Sequence, residues 1–278
     1  MKHFMMCFPD GKTKAFTLSY DDGMFQDIRL VEILNHNGLK GTFNLISGRI
    51  RKDDAVKAFS HLSADQIRSL YLPNGHEVAI HTHTHRTLTD LSEDEIAQEY
   101  LQCKAILEDV LGTDLRGSAY PNSRYNQKVL SVLKDIGIAY ARGGDQTGSF
   151  ALPKDWLQFM PTARHNDANL FDLGEQFLQL AIPPHQECAL FCLMGHSYEF
   201  DKDNNWQTIE EFARNMGGHK DIWYATILEI YDYIQAYRSL DFDPAGAIVQ
   251  NPTATDLWLV KDGKESCVPA GKTIRLDG

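Results

Sequence analysis

Short apolar strands alternate with amphipathic helical patterns along most of this 278-residue chain, and no other feature narrows its fold as much. Ala15 to Ser19 is an apolar run of strand length, closed by Asp21-Asp22-Gly23. Ile28, Val31 and Leu34 follow at helical spacing, and Asn37-Gly38 stops that helix. Thr42 to Ile46 predicts a second strand and Val78 to Ile80 a third. Leu62 to Leu72 reads as a short helix with Ser63 as its N-cap, broken by Pro73-Asn74-Gly75. Ser92 and Glu95 form a capping-box pattern, opening a helix through Ile96, Tyr100, Cys103, Leu107 and Val110 that Gly112 ends. Val129, Leu130 and Leu133 mark another helix, closed by Gly137, and Cys188 to Met194 a late strand. Thr226 and Glu229 form a second capping box, opening a helix through Ile230 and Ile234. Such alternation marks an α/β fold with a mostly parallel sheet, in which ligands sit at the carboxyl ends of the strands.

The last forty residues break the pattern. Leu257 to Val260 and Glu265 to Val268 flank Lys261-Asp262-Gly263-Lys264, and Asp-Gly favours a two-residue hairpin. A main domain over residues 1–240 is therefore expected, with a small β extension over 241–278 packed on it.

With 43% hydrophobic and 23% charged residues, the chain can bury a core that needs no disulfides. Its five cysteines lack CxxC spacing, and Cys188 and Cys192 lie in an apolar run, so buried thiols are expected. A net charge of -11 disfavours nucleic acid and anionic membranes, leaving small molecules or glycans as partners and an oligomer open. The first ten residues hold no apolar stretch of signal-peptide length, and no segment approaches a membrane span. A cytoplasmic location is the expectation.

Chemistry concentrates in two places. Tyr20-Asp21-Asp22-Gly23 puts two adjacent carboxylates at a strand end, where they repel unless a cation or a shared proton lies between them. Such a segment is either an exposed turn or a split pair, one carboxylate on a metal and the other taking a proton from water. The second place is His81, His83 and His85, with His76 five residues before. Imidazole suits zinc and neighbouring divalent metals. Spacing leaves two pairings open. His81 with His83 would share a strand face, whereas His81 with His85 requires the chain to curl after the strand. Thr82 and Thr84 are placed to support the ligands by hydrogen bonds.

Together these motifs resemble the polysaccharide deacetylase (NodB-homology) family of carbohydrate esterases. Tyr20-Asp21-Asp22-Gly23 matches its aromatic-Asp-Asp-Gly signature, and Thr42-Phe43 its second strand. Gly75-His76-Glu77, His81-Thr82 and His85 match its histidine signature. The resemblance implies a distorted (β/α) barrel with fewer than eight regular strands. It implies Asp22, His81 and His85 as ligands of a divalent metal, zinc foremost, with Asp21 as general base. His83 is then a neighbour. Leu193-Met194-Gly195-His196 is similar to the family's Leu-x-Leu-His, which makes His196 the general acid.

Two departures stand out. Ala119-Tyr120-Pro121-Asn122-Ser123 replaces the family's Arg-Pro-Pro-aromatic-Gly, so the arginine that steadies the base is missing there. Arg142 or Arg164 is the candidate substitute. Tyr120, Pro121 and Arg142 are expected to meet substrate, with a backbone N–H near Tyr120 at the oxyanion. The family's Asp-Trp motif is matched in wording alone by Asp155-Trp156. Tyr198, Phe200 and Trp206 are candidates for stacking on a sugar face. The expected function is a metal-dependent hydrolase releasing acetate from an N-acetylated sugar or related amide. An amidohydrolase-type metal hydrolase acting on a non-sugar amide and a non-catalytic metal-containing relative are the rival readings.

Overall fold

The computed structural model of the chain describes residues 4–53, 59–183 and 186–276. Its elements run β1 (Phe4–Cys7), β2 (Lys14–Asp22), α1 (Asp27–His36), β3 (Gly41–Leu45), α2 (Ala64–Leu70), β4 (Glu77–Ile80) and α3 (Glu93–Leu111). There follow β5 (Gly117–Ala119), α4 (Gln127–Asp135), β6 (Tyr140–Arg142), β7 (Ala163–Arg164), α5 (Leu170–Gln179), β8 (Ala189–Gly195), α6 (Tyr198–Lys202) and α7 (Trp206–Met216). The chain closes with β9 (Ile222–Tyr224), α8 (Ile227–Arg238), β10 (Asp241–Phe242), β11 (Ile248–Gln250), β12 (Leu257–Lys261), β13 (Lys264–Val268) and β14 (Thr273–Arg275).

Eight of these strands form one parallel sheet, ordered β6-β5-β4-β3-β2-β8-β7, with β9 also paired to β2. The central strand β2 explains why the barrel is distorted. Along one side it pairs with β8 from Lys14 to Tyr20. Its other side is shared, β9 taking Lys14 to Phe16 and β3 taking Leu18 to Asp22. Past β6 the chain comes back to bridge the two ends of the curled sheet. The Phe159 amide donates to the Ala141 carbonyl, the Gly143 amide donates to the Phe159 carbonyl, and Ala163 and Arg164 then pair with β8. Of these eight strands, only β2, β3, β4 and β8 exceed three residues, in keeping with a barrel of few regular strands.

The three expected N-caps all form. Ser63, Ser92 and Thr226 each close a full capping box, with Gln66, Glu95 and Glu229. Apolar faces of α1, α2, α3 and α7 pack on the sheet through Leu30, Leu34, Ile67, Ile96, Tyr100 and Phe212. The described residues contain no helix long and apolar enough to cross a membrane. All five cysteines are free, and only Cys267 is not buried.

Gly75-His76-Glu77 works at the amino end of the barrel, away from the strand ends where ligands bind. Glu77 is buried and accepts from Thr42 Oγ1 (2.7 Å), Tyr140 OH (2.7 Å) and the Leu228 amide (3.0 Å). One carboxylate thus staples β4 to β3, β6 and α8. His76 Nδ1 accepts from the Gly41 amide at 3.1 Å.

The β12–β13 hairpin turns on Asp262 and Gly263, both at positive φ (50° and 82°), as Asp-Gly predicts. Its sheet is not built from the C-terminal segment alone, because β1 pairs antiparallel with β12. Leu257, Leu259 and Val268 pack with Phe8, Tyr140, Trp156, Ile230 and Tyr233 in a second core. A further small sheet, β10-β11-β14, completes this region.

Candidate active site

Five strand ends on one side of the barrel contribute to a single cleft. Asp21 and Asp22 end β2, His81 follows β4, Tyr120 follows β5, Arg164 ends β7 and His196 follows β8. These residues line an opening of about 740 Å³ together with His85, Asn122, Ser123, Arg124, Met194 and Tyr198. A parallel barrel collects chemistry there because the loops leaving its carboxyl ends are free to vary.

The acidic pair is the end of the strand rather than a separate turn, since β2 runs on through Asp22. The two carboxylates diverge because the backbone twists between them. Asp22 has φ 82° and Gly23 φ 72°. A left-handed aspartate stores about 1–3 kcal/mol of strain, so the surrounding packing must impose it. Gly23 is needed on a second count, because a Cβ there would lie 2.7 Å from Leu45 Cδ2.

Asp21 is buried and its Oδ1 accepts from Asn44 Nδ2 (2.8 Å) and from Arg142 Nη2. Burial alone would raise its pKa. The guanidinium of Arg142, helped by His81 and His196, outweighs that and holds it at about 2. Arg142 also donates from Nε to Ser19 Oγ (3.2 Å) and from Nη1 to the Gly143 carbonyl (3.1 Å). The guanidinium beside Asp21 therefore comes from β6. Arg142 is 1% exposed and sits behind Asp21, so it reaches the carboxylate and not the space a substrate would fill.

Asp22, His81 and His85 converge. Their ligand atoms lie within 4.8 Å of one another. Asp22 Oδ1 is 3.7 Å from His81 Nε2 and 3.8 Å from His85 Nε2. That oxygen is buried and accepts no hydrogen bond among the described residues. Metal–ligand bonds of about 2 Å put neighbouring donors roughly 3–4 Å apart, so the trio fits a shared cation. His81 Nδ1 lies 2.9 Å from the Ala119 carbonyl, which can only accept; Nδ1 therefore carries the proton and Nε2 presents its lone pair. Burial, reinforced by His81, lowers the His85 pKa to about 4, which keeps that ring neutral as a ligand must be.

The chain does curl after β4. Thr82 and His85 both have positive φ, 62° and 63°, and Thr82 Oγ1 accepts from the His85 amide at 3.1 Å. His83 is turned elsewhere, its Nδ1 2.9 Å from Ser47 Oγ. Glu99 of α3 fixes the curl from below, its carboxylate accepting from the Thr84 amide (2.7 Å) and Thr84 Oγ1.

The opposite wall carries His196. Its Nδ1 is 3.4 Å from Glu199 Oε1 and 3.1 Å from Arg164 Nη2. Burial disfavours a charged ring, but Glu199, Asp21 and Asp22 outweigh it and raise the His196 pKa. Glu199 also faces His165 Nε2 at 2.9 Å and Arg164 Nη2 at 2.5 Å. His165 fits because residue 195 is glycine, where a Cβ would collide with its Nδ1. Glu199 was not among the residues singled out from sequence. Its spacing of three after His196, at the start of α6, was the available signal.

Several expected contacts fall differently. The Tyr120 amide donates to the Arg142 carbonyl (2.9 Å) and is not free for an oxyanion. The residue lines the cleft, but its ring stacks on Tyr125 at 4.6 Å and its hydroxyl donates to the Leu157 carbonyl (2.8 Å). Pro121 is buried in the turn after β5 and does not line the cleft. Tyr198 lines the cleft, but Phe200 is core and Trp206 is buried with its indole donating to Asp201 (2.7 Å). Asp155 caps a turn and Trp156 belongs to the second core, both outside the cleft.

Comparison with known proteins bears on this geometry. The family model for polysaccharide deacetylases matches residues 9–141. Chitin deacetylase 1 of Cryptococcus neoformans is 27% identical over 123 residues, covering 44% of this chain and 24% of that protein. The match thus spans about a quarter of the curated relative. A polysaccharide deacetylase structure from Mycobacterium smegmatis, titled putative, superposes with a TM-score of 0.60 at 17% identity, over 84% of this chain and 94% of the other. A mutant CE4-family pseudoenzyme with restored enzymatic activity gives 0.51 at 16% identity, over 82% and 70%. The fold is therefore the NodB-type α/β barrel, and residues 9–141 of the chain resemble the polysaccharide deacetylase family.

Proposed function

We propose that this protein is a metal-dependent hydrolase that removes the acetyl group from an N-acetylated sugar or related amide. The observation that carries the reading is the buried, unpartnered Asp22 Oδ1 facing two imidazole nitrogens. A divalent metal held by Asp22, His81 and His85, zinc by the character of the donors, would acidify a bound water and polarise the amide carbonyl.

Asp21 takes the proton of the attacking water, and Arg142 keeps that carboxylate ionised beforehand. His196, its charged form favoured by Glu199, gives a proton to the departing amine. Asn122 stands where the family motif has its aromatic residue and lines the cleft, so its amide is the oxyanion donor in this reading. Tyr198 flanks the substrate.

The test is metal analysis of the purified protein, then acetate release across N-acetyl sugars, chito-oligosaccharides and non-sugar acetamides. Bound stoichiometric zinc with acetate release that a chelator abolishes is the expected result. Metal retention with no release from any compound would instead favour a non-catalytic relative, a reading motivated by the altered third motif. Release from non-sugar acetamides alone would move the substrate away from glycans. Absence of any metal would overturn the proposal.

A further inference from the structure

A second cavity, of about 620 Å³, opens between α4, α8 and the turn at Trp156–Gln158. It shares no lining residue with the cleft. Three exposed cations line it, Lys134, Lys154 and Arg238, against a single carboxylate, Asp155. That carboxylate is already engaged, accepting from the Leu157 amide (2.9 Å) and from Gln158 Nε2 (2.7 Å). None of the three cations has a carboxylate at ion-pair distance among the described residues. In a chain of net charge -11 this cavity therefore carries a local excess of positive charge. Lys134 and Arg238 close the last turns of α4 and α8, where positive charge offsets the helix dipole. Lys154 has no such role.

The floor adds a second, independent observation. Trp156 is 5% exposed, and its indole N–H is buried with no acceptor among the described residues. A buried donor left unpaired is costly, and a small turn of the ring would bring it to an acceptor in the cavity. Trp156 meets Tyr231 edge to face, with centroids 5.4 Å apart at 89°, and both residues line the cavity. Aromatic walls suit the face of a ring, and the surrounding cations suit an oxyanion.

We infer that this cavity is a second ligand site, built for an oxyanion carried on a sugar-sized ring, either a sugar phosphate or a uronate carboxylate. Titration calorimetry with glucose 6-phosphate, glucuronate, inorganic phosphate and glucose tests it. One or both ring anions bind, phosphate alone binds about tenfold more weakly, and glucose does not bind. Which ring anion binds identifies the source of the charge. Lys154→Gln and Arg238→Gln each weaken binding by roughly tenfold, and His85→Ala leaves it unchanged because the cleft is not involved. The bound anion also alters tryptophan fluorescence, and Trp156→Phe removes that change. No binding of either ring anion, binding that both charge variants leave intact, or binding lost in His85→Ala would overturn the inference. Phosphate binding as tightly as the sugar phosphate would overturn its ring requirement.

Discussion

The two walls of the cleft hold their imidazoles by different means. On the β2–β4 wall the backbone does the holding. Asp22, Thr82 and His85 are all at positive φ, and His81 is oriented by a main-chain carbonyl. On the β7–β8 wall charged side chains do it. His196 is held by Glu199 and Arg164, with His165 buttressing Glu199 in space that Gly195 leaves open. The first arrangement fixes ligand atoms with little freedom, which suits a cation site. The second leaves a ring whose proton affinity its neighbours can tune, which suits proton transfer.

The comparison is most exposed to failure at the first wall. His85→Ala should remove the metal and lower acetate release by roughly 10³-fold or more, whereas His83→Ala should keep both. Metal content and turnover on the same preparations decide it, and loss of metal from His83→Ala with retention by His85→Ala would reverse the pairing. Arg142→Ala comes next. It strands Asp21 as a buried, unpaired charge, so about 3–5 kcal/mol of stability should go. Turnover should fall about 100-fold, and Arg142→Lys should recover part of both. Chemical denaturation together with kcat checks this. Unchanged stability would mean that Asp21 does not depend on that guanidinium.

The second wall predicts smaller effects. Gly195→Ala should push His165 against Glu199 and cost roughly ten- to a hundredfold in kcat. His165→Ala in the same chain should restore part of the loss, because the two changes share one volume. Failure of the double variant to recover would put the cost elsewhere. The gentlest test is a pH profile. In the proposed mechanism the acid form of His196 is the active one, and its pKa is raised above the ordinary 6.5 against the effect of burial, with Glu199 the leading cause. Turnover is therefore retained below that raised pKa and lost as pH climbs through it. Glu199→Gln removes the charge that retains the proton, so the alkaline limb of kcat should move to lower pH. A limb that does not move would separate Glu199 from the acid.

The same contrast explains what was legible in the sequence. The first wall is written in contiguous segments, Tyr20 to Gly23 and Gly75 to His85, because its geometry comes from the local backbone. Even there, spacing alone left His83 and His85 equivalent. Their separation rests on the curl at Thr82, which the residue types do not announce. The second wall is assembled from positions 164, 165, 195, 196 and 199, and the partner of Asp21 comes from position 142. Arg142 and Arg164 end strands of three and two residues, too short to show any period. The long elements with capping boxes were readable for the opposite reason, since each carried its own start signal. Phe200 and Trp206 misled because an aromatic side chain serves a sugar platform and a core equally well, and only burial distinguishes them.

The pairing of β1 with β12 has a consequence for the order of assembly. Phe4 is matched to Lys261, so this ladder joins residues made at opposite ends of a long interval of synthesis. The β12–β13 hairpin needs only its own two-residue turn, and β2 to β6 can pair with near neighbours, but β1 has no strand partner in the described residues until β12 exists. Its Phe-Met-Met-Cys segment, apolar throughout, must wait with its hydrogen-bonding edges uncovered while the barrel forms. β1 is thus made long before its partner, and the growing chain carries an aggregation-prone edge throughout that interval.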